Sequence, residues 1–160
     1  MVKNKFVLQI TPQTNVRATQ GDRVFFRIPR EKLFKPGLKR LLRLERYNQY
    51  KIDLLAEAKR VRLLFPDQGA FVKFFIPMPK SWRKFKRDTM HFKLHKSRPD
   101  IDNLCKGLFD GLFTEDKSIA HFEAAKFWVD FPVGWIEIVV SEPIFESQEI
   151  PASVLDLIKE

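Results

Sequence analysis

Apolar and polar residues follow different rhythms along the chain, and each change of rhythm marks a turn. KFVLQI at 5–10 and DRVFFRIP at 22–29 are short runs rich in aromatic and β-branched residues, which predict strands joined through a polar turn containing Gly21. Over 41–65, Tyr47, Tyr50, Leu54, Ala58, Val61 and Phe65 recur at steps of three and four, the stripe of an amphipathic helix. Its opposite face carries Arg46, Lys51, Lys59, Arg60 and Arg62. After a turn at 66–69, AFVKFFI at 70–76 reads as a strand, and the proline- and lysine-rich stretch that follows, up to Pro99, reads as an exposed loop. A second helix is expected to begin near Asp102, with Leu104, Cys105, Leu108 and Leu112 on its apolar face. HFEAAKFWVD at 121–130 and WIEIVV at 135–140 predict a hairpin over Pro132, Val133 and Gly134, and PASVLDLIKE at 151–160 a short closing helix. The order β-β-α-β-loop-α-β-β-α predicts an α+β fold, a mixed β-sheet packed with helices.

Composition narrows the class. A chain of 160 residues that is 44% hydrophobic can bury a sizeable core without staples, and 16 phenylalanines supply much of it. We expect a single domain over 1–140 and a tail over 141–160. Cys105, the only cysteine, excludes an internal disulfide and belongs to the apolar face of its helix. The N-terminal apolar run is too short for a signal peptide, and no apolar stretch approaches the ~20 residues that span a bilayer, so a cytoplasmic protein without membrane association is expected. Net charge is +9, but unevenly spread. Residues 1–99 hold 25 Lys/Arg against 7 Asp/Glu, whereas 100–160 hold 4 against 13. The basic majority calls for a polyanion such as nucleic acid, and bound divalent cations would account for the acidic island.

The boundary between the two charge regimes is Arg98-Pro99-Asp100-Ile101-Asp102-Asn103-Leu104-Cys105-Lys106. Pro99 keeps the entering chain extended, so Asp100 and Asp102, two apart, point the same way. Lys106 and Asp110 then follow along one helix face, and Glu115-Asp116 come where the chain leaves the helix. Carboxylates ~4 Å apart repel by roughly 4 kcal/mol per pair at an effective dielectric near 20, so a cluster of three asks for a cation. Mg²⁺ suits all-oxygen donors, and a cation there would promote attack of water on a phosphodiester. Lys106 would bring positive charge to the scissile phosphate or orient the water. Alone, Asp and Asn at a helix start are also ordinary caps; the combination with Lys106, Asp116 and the basic surroundings favours chemistry. Asp110 is left as an outer neighbour of the metal, a solvated position or a partner of Lys106.

Eight basic residues, Lys80, Arg83, Lys84, Lys86, Arg87, Lys93, Lys96 and Arg98, lead into this centre and are candidate phosphate contacts. Trp82, Phe85 and Phe92, interleaved with them, either stack on unpaired bases or anchor the loop in the core. His91 and His95 read as exposed loop histidines and His121 as structural.

The run RPDIDNLCKGLFDGL followed by EDKSIAHFEAAK resembles the RusA-type Holliday-junction resolvases, the crossover junction endodeoxyribonucleases. Their pattern is a basic residue, Pro-Asp, a hydrophobic residue, Asp-Asn-Leu, a lysine four after the second Asp, and a later acidic pair. AFVKFFIPMPKSW is similar to the family's strand ending in Pro-x-Pro-x-Ser, and Lys126 stands where members tend to carry a lysine. The resemblance covers about residues 70–140. It implies a RusA-like fold and a homodimeric, Mg²⁺-dependent endonuclease, with Mn²⁺ a plausible substitute. Such an enzyme cuts four-way DNA junctions symmetrically, in recombination and repair or in phage and prophage DNA processing. By position it implies Asp100, Asp102 and Asp116 as metal ligands and catalytic residues, Lys106 as the essential lysine and Lys126 among the DNA contacts. The family's acidic pair is usually Asp-Asp; Glu115 stands first here, and shares or replaces the role of Asp116 as the alternative. The helix at 41–65 or the C-terminal strand would form the dimer contact. Two other readings stay open: a nuclease indifferent to DNA structure, and a metal-independent basic nucleic-acid-binding module with a structural acidic cluster.

Overall fold

The three-and-four stripe folds as a 26-residue helix, α2 (Lys35–Arg60), which lays Tyr47, Tyr50, Leu54 and Ala58 on a sheet. It starts earlier than the stripe because Phe34 is extended and Pro36 lies in the first turn, where a missing N–H leaves no bond unmade. It ends before Phe65 because Arg62 takes a left-handed φ of 52°. Val61 and Phe65 still pack on the core from the loop beyond. The computed structural model describes residues 4–114 and 117–141. In chain order these hold β1 (Asn4–Leu8), α1 (Asp22–Phe25), a 3-10 turn (Arg30–Lys32), α2, β2 (Ala70–Pro77), α3 (Lys84–Met90), α4 (Ile101–Leu112), β3 (Phe122–Val129) and β4 (Trp135–Val140). No helix among the described residues is long and apolar enough to cross a membrane.

The fold is α+β, and its mixed four-stranded sheet runs β1-β4-β2-β3. β4 is antiparallel to β1 and β2, while β2 and β3 are parallel. The expected hairpin between β3 and β4 therefore does not form: β2 lies between them. Burial explains the order. Val72, Phe74, Ile136 and Ile138 have no accessible surface and need neighbours on both sides, whereas β3, with Glu123 exposed, tolerates an outer position. α2 and α4 cover one face of the sheet and supply the rest of the core. Behind it, Glu137 is buried between Lys5 at 2.6 Å and Lys73 at 2.8 Å. Burial works against its charge, but the two ammonium groups outweigh it and hold the carboxyl below its ordinary value.

The segment 22–29 is not a strand. Asp22 accepts hydrogen bonds from the Thr19 backbone at 2.7 Å and from Arg40 at 3.0 and 2.9 Å, a bidentate pair that bends the chain into the single turn of α1. This partnership holds the Asp22 carboxyl well below the usual carboxylate range, with the Arg40 bond the largest cause. Nor is the stretch after β2 only a loop: it contains α3, and residues beyond α3 lie along the free edge of β3. Phe92 N donates to Trp128 O at 2.8 Å, Trp128 N to Lys93 O at 2.9 Å and His95 N to Lys126 O at 2.9 Å. The exposed strand edge is thereby paired. The closing helix expected at 151–160 lies outside the described residues.

α4 is gripped from outside by the segment after β1. A Cβ on Gly107 would sit 2.3 Å from the carbonyl oxygen of Gln13, and Asn15 N donates to Asn103 O at 3.0 Å. Gly107→Ala is thus expected to destabilise the protein even though alanine is the better helix former. Overpacking costs about 1–3 kcal/mol and propensity returns at most about 1. Thermal unfolding should show Tm lower by roughly 3–6 °C; an unchanged or raised Tm would contradict the close approach. Cys105 faces the core as expected, and burial pushes its thiol up to about 11.

Candidate active site

A helix that connects two parallel strands runs antiparallel to them, so its first turn lands at their carboxyl ends, the usual place for a site in such a unit. Here that helix is α4, between β2 and β3. Lys126, in the second half of β3 and paired with Phe74, fixes the entry: its ammonium donates to Ser97 O at 2.6 Å and also to Pro99 O. Those carbonyls immediately precede Asp100.

Asp100 occupies the N-cap position of α4 with an extended backbone, yet its side chain makes no capping hydrogen bond and is exposed. Its carboxylate is free for another partner. Asp102, in the first turn, is also exposed and accepts a hydrogen bond from Lys106 Nζ at 3.1 Å, one turn on. That bond is the main cause holding the Asp102 carboxyl below its ordinary value, and the Asn103 N–H adds to it. Asp110 is not the partner of Lys106. It accepts hydrogen bonds from Tyr47 Oη at 3.0 Å and from Asn15 Nδ2, and so ties α4 to α2 and to the N-terminal segment. Asp116 and Glu115 lie outside the described residues. Among the described residues no three His, Cys, Asp or Glu side chains converge on one point. The two exposed carboxylates offer hard oxygen donors open to water, a set that fits a cation such as Mg²⁺, which commonly takes one or two carboxylates and keeps several waters.

The basic residues divide into groups. Lys80, Arg83, Lys84 and Lys86 are exposed around the start of α3, and Lys93, Lys96 and Arg98 are exposed along the segment leading to Asp100. Arg87 differs, being half-buried and paired with Asp130 at 3.3 Å. Lys126 spends its ammonium on the two loop carbonyls. Arg43 and Arg46 join the basic set, though in the sequence Arg46 stands only among the residues opposite the apolar stripe and Arg43 is not marked at all. Both line a cleft of about 310 Å³ whose wall includes Pro99, next to Asp100. Two arginines three apart on the polar face of α2 were the available signal. Of the aromatics, Trp82 packs on Trp128 with ring centroids 4.8 Å apart, Phe85 is 84% exposed and anchors nothing, and Phe92 stands edge-on to Phe75.

His95 is not an exposed loop residue. It is buried, its ring stacked on Trp128 at 3.5 Å, and its Nδ1 accepts a hydrogen bond from Ser97 N at 3.3 Å. The sequence signal was weak because its neighbours Lys93 and Lys96 are exposed; pairing of 92–95 on β3 turns this one side chain inward. Burial, with the nearby charge of Lys126, lowers its pKa from the ordinary 6.5. Because the folded state prefers neutral His95, this contribution is whole above that value and is lost as pH falls through the lower folded value. We expect Tm to hold above about pH 7 and decline below about 6.5, and His95→Phe to flatten that decline. Identical pH profiles for wild type and His95→Phe would contradict the assignment.

Two exposed carboxylates and a lysine at the head of a crossover helix, reached through exposed basic residues that make no ion pair among the described residues, fit work on a phosphodiester backbone. The family model for endodeoxyribonuclease RusA matches residues 10–140, and the chain belongs to that family. No curated protein matches the chain. The matched span reaches well upstream of the stretch at 70–140 and takes in the segment that grips α4 and all of α2. Membership makes the chain an endodeoxyribonuclease, a DNA-binding hydrolase, and implies action on Holliday junctions, chemistry for which the family is generally divalent-metal dependent.

Proposed function

We propose that the protein is a Mg²⁺-dependent resolvase that cuts four-way DNA junctions by paired, symmetric phosphodiester hydrolysis as a homodimer, with Mn²⁺ able to replace Mg²⁺. The observation that carries this reading is the uncapped, exposed Asp100 beside the Asp102–Lys106 pair at the start of α4. Asp100 and Asp102 would hold the cation, with Asp116 as the third ligand. When bound, the cation supplies Lewis-acid charge to the phosphoryl oxygens and makes water a better nucleophile. Lys106, whose ammonium donates to Asp102 at 3.1 Å, would present its positive charge to the non-bridging oxygens where charge builds in the transition state. Lys126 keeps Asp100 in register by clamping the entering loop. Lys80, Arg83, Lys84, Lys86, Lys93, Lys96 and Arg98 would hold the DNA backbone near the centre, joined by Arg43 and Arg46 from the cleft they line with Pro99.

Both edges of β4 are hydrogen-bonded and the apolar stripe of α2 is spent on the core, so of the two expected dimer contacts the reading favours the outer face of α2, where Ile52 and Leu55 are exposed. A two-fold dimer matches the symmetry of a four-way junction. Recombination and repair, or phage DNA processing, in the cytoplasm is the setting such an activity serves. Labelling each of the four strands in turn tests the reading. We expect nicks on two opposite strands at symmetry-related positions, made by a species sedimenting at twice 18.9 kDa. Unpaired nicks from a monomer would contradict it.

A further inference from the structure

A groove of about 560 Å³ is lined partly by the segment that leads into Asp100, and its lining joins two kinds of surface. Trp82, Met90, Leu94 and Trp128 form an apolar floor, while Lys86, Lys93 and Lys96 stand around it. Ser97, whose carbonyl Lys126 holds three residues before Asp100, also lines it. None of the three lysines makes an ion pair among the described residues. Lys86 lies 3.8 Å over the Trp82 ring, and Leu94 is 53% exposed although it belongs to the pairing on β3.

Resting on the proposed action at junctions, we propose that this groove receives one unpaired nucleotide of the DNA next to the bond that is cut. Its base would lie on the Trp82–Leu94 floor and its phosphates against Lys86, Lys93 and Lys96. Phosphate alone would need the lysines but not the floor. A base within a duplex is covered on both faces by its neighbours and cannot lie on an apolar floor; an unstacked one can, and aromatic surfaces take such bases with little regard to sequence. The volume falls within the ~300–1,000 Å³ range of small-ligand pockets, room for one nucleotide rather than a helix. The groove would therefore favour DNA whose bases open at a branch point over linear duplex.

The test removes the base rather than the protein. Synthetic four-way junctions carrying an abasic residue at each position around the crossover are bound in EDTA, where no cutting occurs, by wild type, Trp82→Ala and Leu94→Ser. The exposure of Leu94 makes the second variant safe for folding. We expect one abasic position to weaken wild-type binding about tenfold, and both variants to bind the intact and abasic junctions alike. Indifference of the wild type to base loss at every position, or the same loss in all three proteins, would overturn the groove assignment. Wild-type binding no tighter to the intact junction than to duplex would instead count against the junction reading itself.

Discussion

Asp102→Asn and Asp100→Asn are each expected to lower junction cleavage in Mg²⁺ by about 10²–10³-fold while leaving junction affinity within a few-fold. The two outcomes separate because the carboxylates stand among basic residues. Removing a negative charge at the head of α4 does not weaken, and can strengthen, attachment to a polyanion, whereas it would take one carboxylate from the proposed cation site. Neither change should disturb folding: both side chains are exposed, Asp100 caps nothing, and the Asp102–Lys106 bond is a solvent-exposed pair of small worth. Gel-shift and single-turnover cleavage on the same junction measure both quantities. Retained cleavage in either variant would remove that residue from the centre.

The second large effect is expected at Lys126. A lysine in a basic protein is most simply taken as a phosphate contact, but its ammonium is engaged by Ser97 O and Pro99 O at the doorstep of Asp100. A positioning residue and a phosphate contact fail differently. Lys126→Met should lower the cleavage rate by about 10–100-fold through a small displacement of Asp100, with junction affinity and its salt dependence nearly unchanged. Loss of a phosphate contact would instead weaken binding and reduce the salt slope by about one. Lys126→Arg should restore part of the rate. His95 provides an independent readout: the positive charge of Lys126 helps lower its pKa, so by NMR the imidazole should titrate at higher pH in Lys126→Met than in wild type. A variant that cuts normally but binds poorly would contradict the positioning role.

Much of this architecture was legible in the sequence where one face of an element alone decides its structure. The stripe from Leu41 to Ala58 and the face formed by Leu104, Cys105 and Leu108 marked α2 and α4, and the Pro99–Asp100–Asp102–Lys106 spacing marked the candidate site at the head of α4. What stayed hidden depends on partners distant in sequence. DRVFFRIP has strand-like composition, but the bidentate Asp22–Arg40 pair, eighteen residues apart, bends it into a turn. The last two strands look like a hairpin locally, yet the fully buried Val72 and Phe74 draw β2 between them. The inward turn of His95, the engagement of Lys126 and the arrival of Arg43 and Arg46 beside Pro99 likewise follow from tertiary pairing, for which a local pattern has no signal.

The proposed function makes the head of α4 a metal-dependent centre for branched DNA. Wild-type protein incubated with a labelled four-way junction and with the matching linear duplex, each in Mg²⁺ and in EDTA, tests it most directly. Junction cleavage is expected in Mg²⁺, none in EDTA, and little or no cleavage of the duplex. Tight binding without scission in Mg²⁺ or Mn²⁺, or cutting of duplex as fast as junction, would contradict it.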